Sequence, residues 1–259
     1  MSARRWLAAA VVLASLTTST SSFAVPAREL LSRAVSAEAR GDLAGSARAF
    51  EELVAAGVDD GDVLYDLGTV YARAERYGEA VWCLERVVRR WPFDLGAREN
   101  LRATRVRLAR RDAGRSGRAV VEHEPPFKVQ LGELLPLDLS VPLVMMAELA
   151  VIGLWLWRRR ARSEMQRVGT AAGMALAAMV GAFALTVVVA RRTSPPAAIV
   201  LREGLRLGQS ARVDAIPDAA VREGERVERL GRDGEFTRVR TLTGHTGWLR
   251  TRDLGALGP

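Results

Sequence analysis

The sequence is poor in the side chains that carry most enzyme chemistry and most covalent cross-links. Its 259 residues include a single cysteine, Cys83, and two histidines. One cysteine cannot form an intrachain disulfide, and the histidines show no metal-ligand spacing. The sequence also lacks a phosphate-binding glycine loop before a helix and a Gly-x-Ser-x-Gly elbow. It therefore predicts a protein that is not an enzyme and has no catalytic residues, cofactor or metal site.

Lysine is almost absent as well, since Lys128 is the only one and arginine supplies the net charge of +8. Part of this positive excess flanks long apolar stretches, where membrane topology accounts for it. No basic stripe interleaved with aromatic residues is present. We therefore expect no nucleic-acid partner.

The N-terminus has the three parts of a secretory signal peptide. Arg4 and Arg5 precede a short apolar stretch, and a Ser/Thr-rich segment with small residues at Ser22 and Ala24 follows. The apolar stretch is too short to span a bilayer comfortably. We expect residues 1–24 to be a cleaved signal peptide, with an uncleaved anchor as the alternative. Either would direct the following segment across the membrane.

Two longer apolar stretches, 139–157 and 168–190, predict two transmembrane helices. At about 1.5 Å per residue, each can cross a hydrocarbon core of about 30 Å. The first contains one charge, Glu148, and the second contains none. A buried helical hairpin in a soluble protein is the alternative, but no other part of the chain is large enough to bury both helices.

The charges around these stretches predict their orientation. The connecting loop, 158–167, is rich in arginine, as cytoplasmic loops are. The segment before the first stretch is acidic, which suits the outer side: Glu122, Glu124, Glu133 and Asp138. Arg191 and Arg192, after the second stretch, indicate the opposite orientation more weakly. We expect a two-pass protein of the bacterial inner membrane with both soluble domains periplasmic and membrane lipid as a partner.

Two features inside the stretches are candidate membrane-packing sites. A charge in mid-membrane is costly, so Glu148 is expected to be protonated within a helix bundle, turned toward a polar partner, or functional. The second stretch repeats a small residue every four positions, which lets another backbone approach closely: Gly169, Gly173, Ala177 and Gly181. The alternatives for this small-residue face are packing within the hairpin and association with a membrane partner.

Residues 27–111 have the apolar spacing of consecutive helices. Their most informative part is 61–94, which contains Leu64, Leu67, Gly68, Tyr71, Ala80, Leu84, Val87 and Pro92. These types at this spacing resemble the tetratricopeptide repeat, in which two helices cross closely at small residues. The resemblance extends to a degenerate first repeat at 27–60 and a capping helix at 95–110.

Such repeats bind extended peptides or helices on a concave face. The resemblance maps that partner-binding face onto Leu31, Val35, Glu38, Tyr65, Thr69, Arg73, Glu99 and Val106. The alternative is that this face is merely solvated. The segment 112–138 is expected to be a linker.

After Pro195 and Pro196 the pattern changes to short strands, predicted at 199–202, 211–213, 226–230, 237–240 and 247–250. A Glu-Gly turn at Glu223-Gly224 and the pair Gly247-Trp248 then make residues 197–256 similar to a bacterial SH3 domain, an all-β barrel. The resemblance implies a ligand face containing Phe236 and Trp248, although Phe236 stands where the family usually has tryptophan. Completion of the barrel core is the alternative role for Trp248.

The predicted fold class is thus multidomain, with an all-α tetratricopeptide-repeat solenoid, a two-helix transmembrane hairpin and a small SH3-like barrel. This order resembles the BatE family of the Bacteroides aerotolerance (Bat) operons. That resemblance implies an adaptor in an envelope stress complex, with von Willebrand factor A domain membrane proteins as partners. A cell-wall sensor whose SH3-like domain binds peptidoglycan is the alternative.

Overall fold

The computed structural model describes residues 24–117 and 126–258. Residues 1–23 of the predicted signal peptide, and 118–125 of the predicted linker with Glu122 and Glu124, lie outside the described residues. The described part contains eight α-helices and one antiparallel sheet of seven strands. The helices are α1 Ala24–Ala39, α2 Leu43–Ala55, α3 Gly61–Arg73, α4 Tyr77–Arg90, α5 Leu95–Ser116, α6 Phe127–Glu133, α7 Leu137–Arg160 and α8 Glu164–Arg192.

The chain divides into two compact units, Met1–Glu75 and Arg76–Pro259. The division lies in the turn between α3 and α4, inside the predicted repeat 61–94. Glu75 in this turn has a positive φ of 59°, a conformation that is uncommon for residues other than glycine. Because the division precedes α4, helices α4 and α5 belong to the same unit as the sheet and the two long apolar helices.

The first unit contains α1, α2 and α3, with α2 packed against both of the others. Asp42 and Asp60 cap the N-termini of α2 and α3, because their carboxylates accept from the backbone N–H of Gly45 and Val63. The apolar side of α2 buries Phe50 and Leu53. The Tyr71 hydroxyl of α3 donates to the Glu51 carboxylate at 2.6 Å.

In the second unit, α7 and α8 are long and apolar enough to span a membrane by length and composition. They have 24 and 29 residues and pack against each other. Most residues in the apolar part of each helix remain exposed. These helices enclose the predicted spans 139–157 and 168–190. Only residues 161–163 join them, and Ser163 forms a capping box with Gln166 at the start of α8.

The sheet follows α8. Its strands are β1 Ala197–Val200, β2 Arg206–Gly208, β3 Pro217–Ala220, β4 Arg226–Asp233, β5 Phe236–Thr241, β6 Thr246–Arg250 and β7 Leu254–Ala256, in the spatial order β3-β2-β6-β5-β4-β1-β7. All pairings are antiparallel. One side of the sheet buries an apolar cluster of Ala198, Val200, Leu207, Val221, Val227, Val239 and Leu249.

The predicted strand at 211–213 is wrong, because these residues form a bend and a turn. Val213 is exposed, and the Arg212 guanidinium pairs with the Asp214 carboxylate at 3.0 Å across the turn. Ala211 and Val213 flank the polar Arg212, and this alternation of apolar and polar residues is also the pattern of a half-buried strand. The strands on either side of this turn, β2 and β3, were not predicted.

Candidate interaction sites

Six residues of the predicted partner-binding face lie in the first unit, on α1 and α3. Leu31 and Val35 are 40% and 51% exposed on α1. Glu38, one turn further, accepts from Arg73 of α3 with 2.5 Å between Oε1 and Nη1. Tyr65 and Thr69 are half-buried on α3. The structure therefore brings the polar ends of the face together and leaves its apolar residues accessible.

This part of the first unit is acidic. Burial raises the pKa of Asp66, and the negative charges of Glu38, Asp62 and Asp60 raise it further. These three neighbouring carboxylates create a negative potential close to the Glu38–Arg73 ion pair. Such a potential favours a positively charged partner segment over an acidic one.

The remaining two residues of the predicted face, Glu99 and Val106, lie on α5 in the second unit, and both are exposed. Their neighbour Asp94 caps α5 by accepting from the Ala97 N–H at 2.9 Å. Below this exposed side, Ala97, Leu101, Thr104 and Leu108 are buried.

The strand register places Phe236 and Trp248 on one face of the sheet. Arg238 of β5 is directly opposite Trp248 of β6, and Phe236 precedes Arg238 by two residues. Since side chains alternate along a strand, all three point to the same side. Thr237, Val239 and Leu249 are buried on the other side. Phe236 and Trp248 are half-buried on an outer face that carries arginine.

A contact between the helices and the sheet was not predicted, and Glu223 is at its centre. This buried carboxylate accepts from the N–H of Gly78 at 2.6 Å and from Arg111 Nη2 at 2.7 Å. The Arg111 guanidinium also lies 5.2 Å from the centre of the Tyr77 ring. Burial opposes the charge of Arg111, but hydrogen bonds to Glu223 and Asp112 raise its pKa overall.

Small residues allow the backbones to approach closely at this contact. A Cβ atom on Gly78 would lie 2.3 Å from the Leu201 carbonyl oxygen, so α4 has no room for a side chain there. A Cβ on Gly255 would meet the Trp82 ring at 2.4 Å. The Trp82 indole N–H donates to the Ala256 carbonyl at 2.8 Å, which fixes β7 against α4.

The sequence placed helix α6 in a linker. In the structure, α6 and the residues after it contact α4, the sheet and the end of α8. The last residue of α6, Glu133, accepts from Arg226 of β4 at 2.6 Å and lies 3.5 Å from Arg89 of α4. Burial alone would lower the pKa of Arg226, but Glu133 raises it overall, while burial lowers the pKa of Arg89. Arg191, at the end of α8, donates to the backbone carbonyls of Leu135 and Arg89, both at 3.2 Å.

The small-residue face of α8 divides into two parts. A Cβ on Gly181 would lie 3.0 Å from the Ala147 Cβ, and one on Gly173 would lie 3.2 Å from Leu154, both on α7. Gly169 is exposed and has open space beside it, and Ala177 is half-buried. Gly173 and Gly181 thus serve packing within the hairpin.

Glu148 is exposed on α7, away from the surface that packs on α8. Within the part of the chain that the structure describes, no hydrogen bond or ion pair is seen for it. The predicted alternatives for Glu148, namely protonation within a helix bundle, a polar partner or a functional role, stay predictions.

The contact residues that the sequence did not reveal are Gly78, Trp82, Arg111, Glu133, Arg191, Glu223 and Arg226. Only the Glu223-Gly224 turn carried a signal, as a feature of the SH3 resemblance. Arginine and glutamate pairs separated by about a hundred residues leave no periodic pattern. Among the described residues, no group of three or more His, Cys, Asp or Glu could hold a metal ion.

Comparisons with protein-family models, with curated proteins and with solved structures find no match to this chain.

Proposed function

We propose that this chain is a non-catalytic membrane-anchored adaptor that binds protein partners through the face formed by α1 and α3. The observation that carries the proposal is the accessible pair Leu31 and Val35 beside the Glu38–Arg73 ion pair. Apolar area next to an arginine and a tyrosine, Tyr65, is the composition in which binding energy concentrates. Exposed apolar residues at helical spacing suit an extended or helical partner segment.

The proposal treats α1 to α5 as two tetratricopeptide repeats and a capping helix, and the sheet as an SH3-like domain. The alternation of helices with short turns and the burial of Leu64, Leu67, Gly68 and Tyr71 support this interpretation. Two repeats alone are near the minimum for a stable solenoid, so such a short array needs packing from another part of the chain. The contact of α4 and α5 with the sheet provides this packing and so supports the interpretation.

The adaptor is proposed to lie on the outer side of the bacterial inner membrane. Helices α4 and α5 precede the hairpin and contact the sheet that follows it, so both soluble parts share one side of the membrane. The arginine-rich residues between α7 and α8 favour the cytoplasm for the other side. Arg191 indicated the reverse orientation, but its hydrogen bonds to Leu135 and Arg89 give it a structural role.

The biological setting of this adaptor is proposed from the BatE resemblance alone. That family suggests von Willebrand factor A domain membrane proteins as partners and an envelope stress or aerotolerance complex as the site of action. The acidic surface around Asp66 adds the expectation that the captured segment is positively charged.

The experiment compares two charge-matched double variants in pull-downs from native membranes in mild detergent. Leu31→Glu with Val35→Glu alters the proposed face, whereas Ser32→Glu with Ser36→Glu adds the same charge to exposed positions rotated around α1. The proposal expects von Willebrand factor A membrane proteins to be captured by the wild type and by the serine variant only. Equal capture by both variants would remove the assignment of this face.

Peptidoglycan binding by the sheet is the second candidate function, and the shared face of Phe236, Arg238 and Trp248 favours it. Aromatic rings can stack on sugars, and arginine can pair with the carboxylates of the stem peptides. The full chain in detergent should then co-sediment with purified cell wall, and Trp248→Ala should weaken this about tenfold or more, as for a hot-spot residue. Sedimentation that Trp248→Ala leaves unchanged would count against this face.

A further inference from the structure

Four large apolar side chains of the second unit stand exposed close to one end of the hairpin. Trp91 and Phe93 lie between α4 and α5, Leu95 begins α5, and Phe127 begins α6. They are 39%, 66%, 76% and 76% exposed, respectively. We refer to these four residues as the aromatic rim.

Both parts of the rim are tied to the residues that follow the apolar part of α8. Arg191 donates to the carbonyl of Arg89, two residues before Trp91. The Lys128 ammonium, next to Phe127, donates to the Thr193 carbonyl at 3.3 Å. In addition, Gly132 of α6 packs so closely on Arg191 that a Cβ would lie 2.9 Å from the Arg191 Cα.

This attachment sets the depth of the rim relative to a membrane. The residues 168–190 carry no charge, so the hydrocarbon region ends near Arg191 when α8 crosses the bilayer. Trp91 and Phe127 lie within two residues of groups bonded to that level, and therefore in the headgroup layer, where tryptophan and other aromatic rings are enriched. Phe93 and Leu95 follow Trp91 within four residues. Arg90, whose guanidinium lies 5.6 Å from the centre of the Trp91 ring, places a cation where lipid phosphates are found.

We propose that the aromatic rim inserts into the interfacial layer of the same membrane that the hairpin crosses. The soluble part of the second unit then rests on the lipid surface through the connection between α4 and α5, the first turn of α5 and the first turn of α6. Trp91, Phe93, Leu95 and Phe127 bury their apolar area among acyl chains, and Arg90 and Lys128 face the phosphates. This inference rests on the proposed membrane anchoring.

The test measures the lipid contact of single labelled positions in the full chain. Phe93→Cys is made in a Cys83→Ala background, labelled with the fluorophore NBD and reconstituted into vesicles with and without nitroxide-labelled acyl chains. Cys83 is buried, so it is retained as a slowly reacting thiol if Cys83→Ala lowers the yield of folded protein. The expected result is blue-shifted emission at position 93 and loss of that emission in nitroxide vesicles.

Two further positions separate the possible outcomes. Val106→Cys is the matched control, because Val106 is an exposed apolar residue about 16 Å beyond Leu95 along α5 and should stay in water. Met145→Cys reports the hairpin itself. Quenching at 145 with equal, weak quenching at 93 and 106 overturns the rim proposal and assigns the rim to a protein partner. Absence of quenching at 145 removes the membrane anchoring, and this inference fails together with it.

Discussion

At the residue scale, the contact between helices and sheet depends on the buried carboxylate of Glu223. It compensates the charge of Arg111 and satisfies the N–H of Gly78 in a region where water has little access. An uncompensated charge in such a place is far more costly than the loss of an exposed ion pair. Glu223 is therefore the single side chain whose change should most weaken the second unit.

We predict that Glu223→Gln destabilises the second unit by about 2 kcal/mol, because Arg111 loses its buried partner but keeps Asp112 at 3.0 Å. The measurement is thermal unfolding of the full chain in detergent. Asp214→Asn is the matched control, because Asp214 pairs with Arg212 on a turn of the same unit where both side chains are more than 70% exposed. That variant should lose about 1 kcal/mol or less. Equal losses in both variants would contradict the central role of Glu223.

Asp66 gives the first unit a predictable pH dependence. Its pKa is raised above the ordinary value of 3.8 by burial and by neighbouring carboxylates. The folded state therefore binds a proton more tightly than the unfolded state does. The free energy of unfolding consequently falls as the pH rises from the ordinary value through the raised one.

Asp66→Asn removes this dependence, so we predict a more stable first unit at neutral pH and no gain below the ordinary pKa of 3.8. Urea unfolding at several pH values, followed by a probe in α2 or α3, measures the difference. Asp59→Asn, on the turn before α3, serves as the comparison for loss of one negative charge. A gain for Asp66→Asn that stays constant down to low pH would contradict the assigned cause.

At the element scale, helix α4 packs on the sheet of the second unit through a glycine. Gly78 lies where a Cβ would come within 2.3 Å of a backbone oxygen of Leu201, and backbone cannot move aside as a flexible side chain can. Gly114, on α5, has open space around it. The two glycines allow the same substitution to be made with and without a steric conflict.

Gly78→Ala is predicted to destabilise the second unit by about 1 to 3 kcal/mol, since overpacking forces α4 away from β1. Gly114→Ala is predicted to be neutral or stabilising by up to about 1 kcal/mol, because alanine favours a helix over glycine. Thermal unfolding in detergent compares the two. If Gly78→Ala is as stable as Gly114→Ala, the close approach of α4 to the residue after β1 does not exist.

The elements themselves were largely accessible from the sequence, because each depends on a local pattern. Long apolar runs indicated α7 and α8, and alternating residues indicated β4, β5 and β6. The pattern failed at 211–213, where the Arg212–Asp214 ion pair closes a turn, and it missed the short helix α6. The contact of Glu223 with Arg111 could not be predicted, because local periodicity carries no information on residues 112 positions apart.

The candidate sites likewise divide into features that a local sequence pattern or a family resemblance predicts and features that depend on contacts between distant residues. The tetratricopeptide resemblance placed Leu31, Val35, Glu38 and Arg73 on one face. The structure puts the first three on α1 and pairs Glu38 with Arg73. The position of Glu148 relative to α8 depended on the rotation of α7 about its axis. The close contact of Gly181 with Ala147 fixes this rotation. The rotation depends on the packing of two helices, so the sequence pattern of either helix alone does not reveal it.

For the whole molecule, the contact of α4 with the sheet restricts the possible topologies. The Trp82 indole bonded to Ala256, and Glu223 bonded to Arg111, join residues from before and after the hairpin. A single crossing would place these partners on opposite sides of the membrane. If the chain crosses a membrane, this contact requires an even number of crossings between α5 and β1, a condition that two crossings by α7 and α8 would meet.

The final prediction tests this arrangement through single cysteines at the exposed positions Glu99, Arg162 and Arg238 in a Cys83→Ala background. In intact cells whose outer membrane has been made permeable, a maleimide that cannot cross the inner membrane should label positions 99 and 238. Position 162, between α7 and α8, should react only after lysis, because the arginine-rich loop is expected in the cytoplasm. Labelling of 162 alone would reverse the orientation yet keep the contact of helices and sheet. Labelling of only one of 99 and 238 is incompatible with that contact, since residues on opposite sides of a bilayer cannot belong to one packed unit.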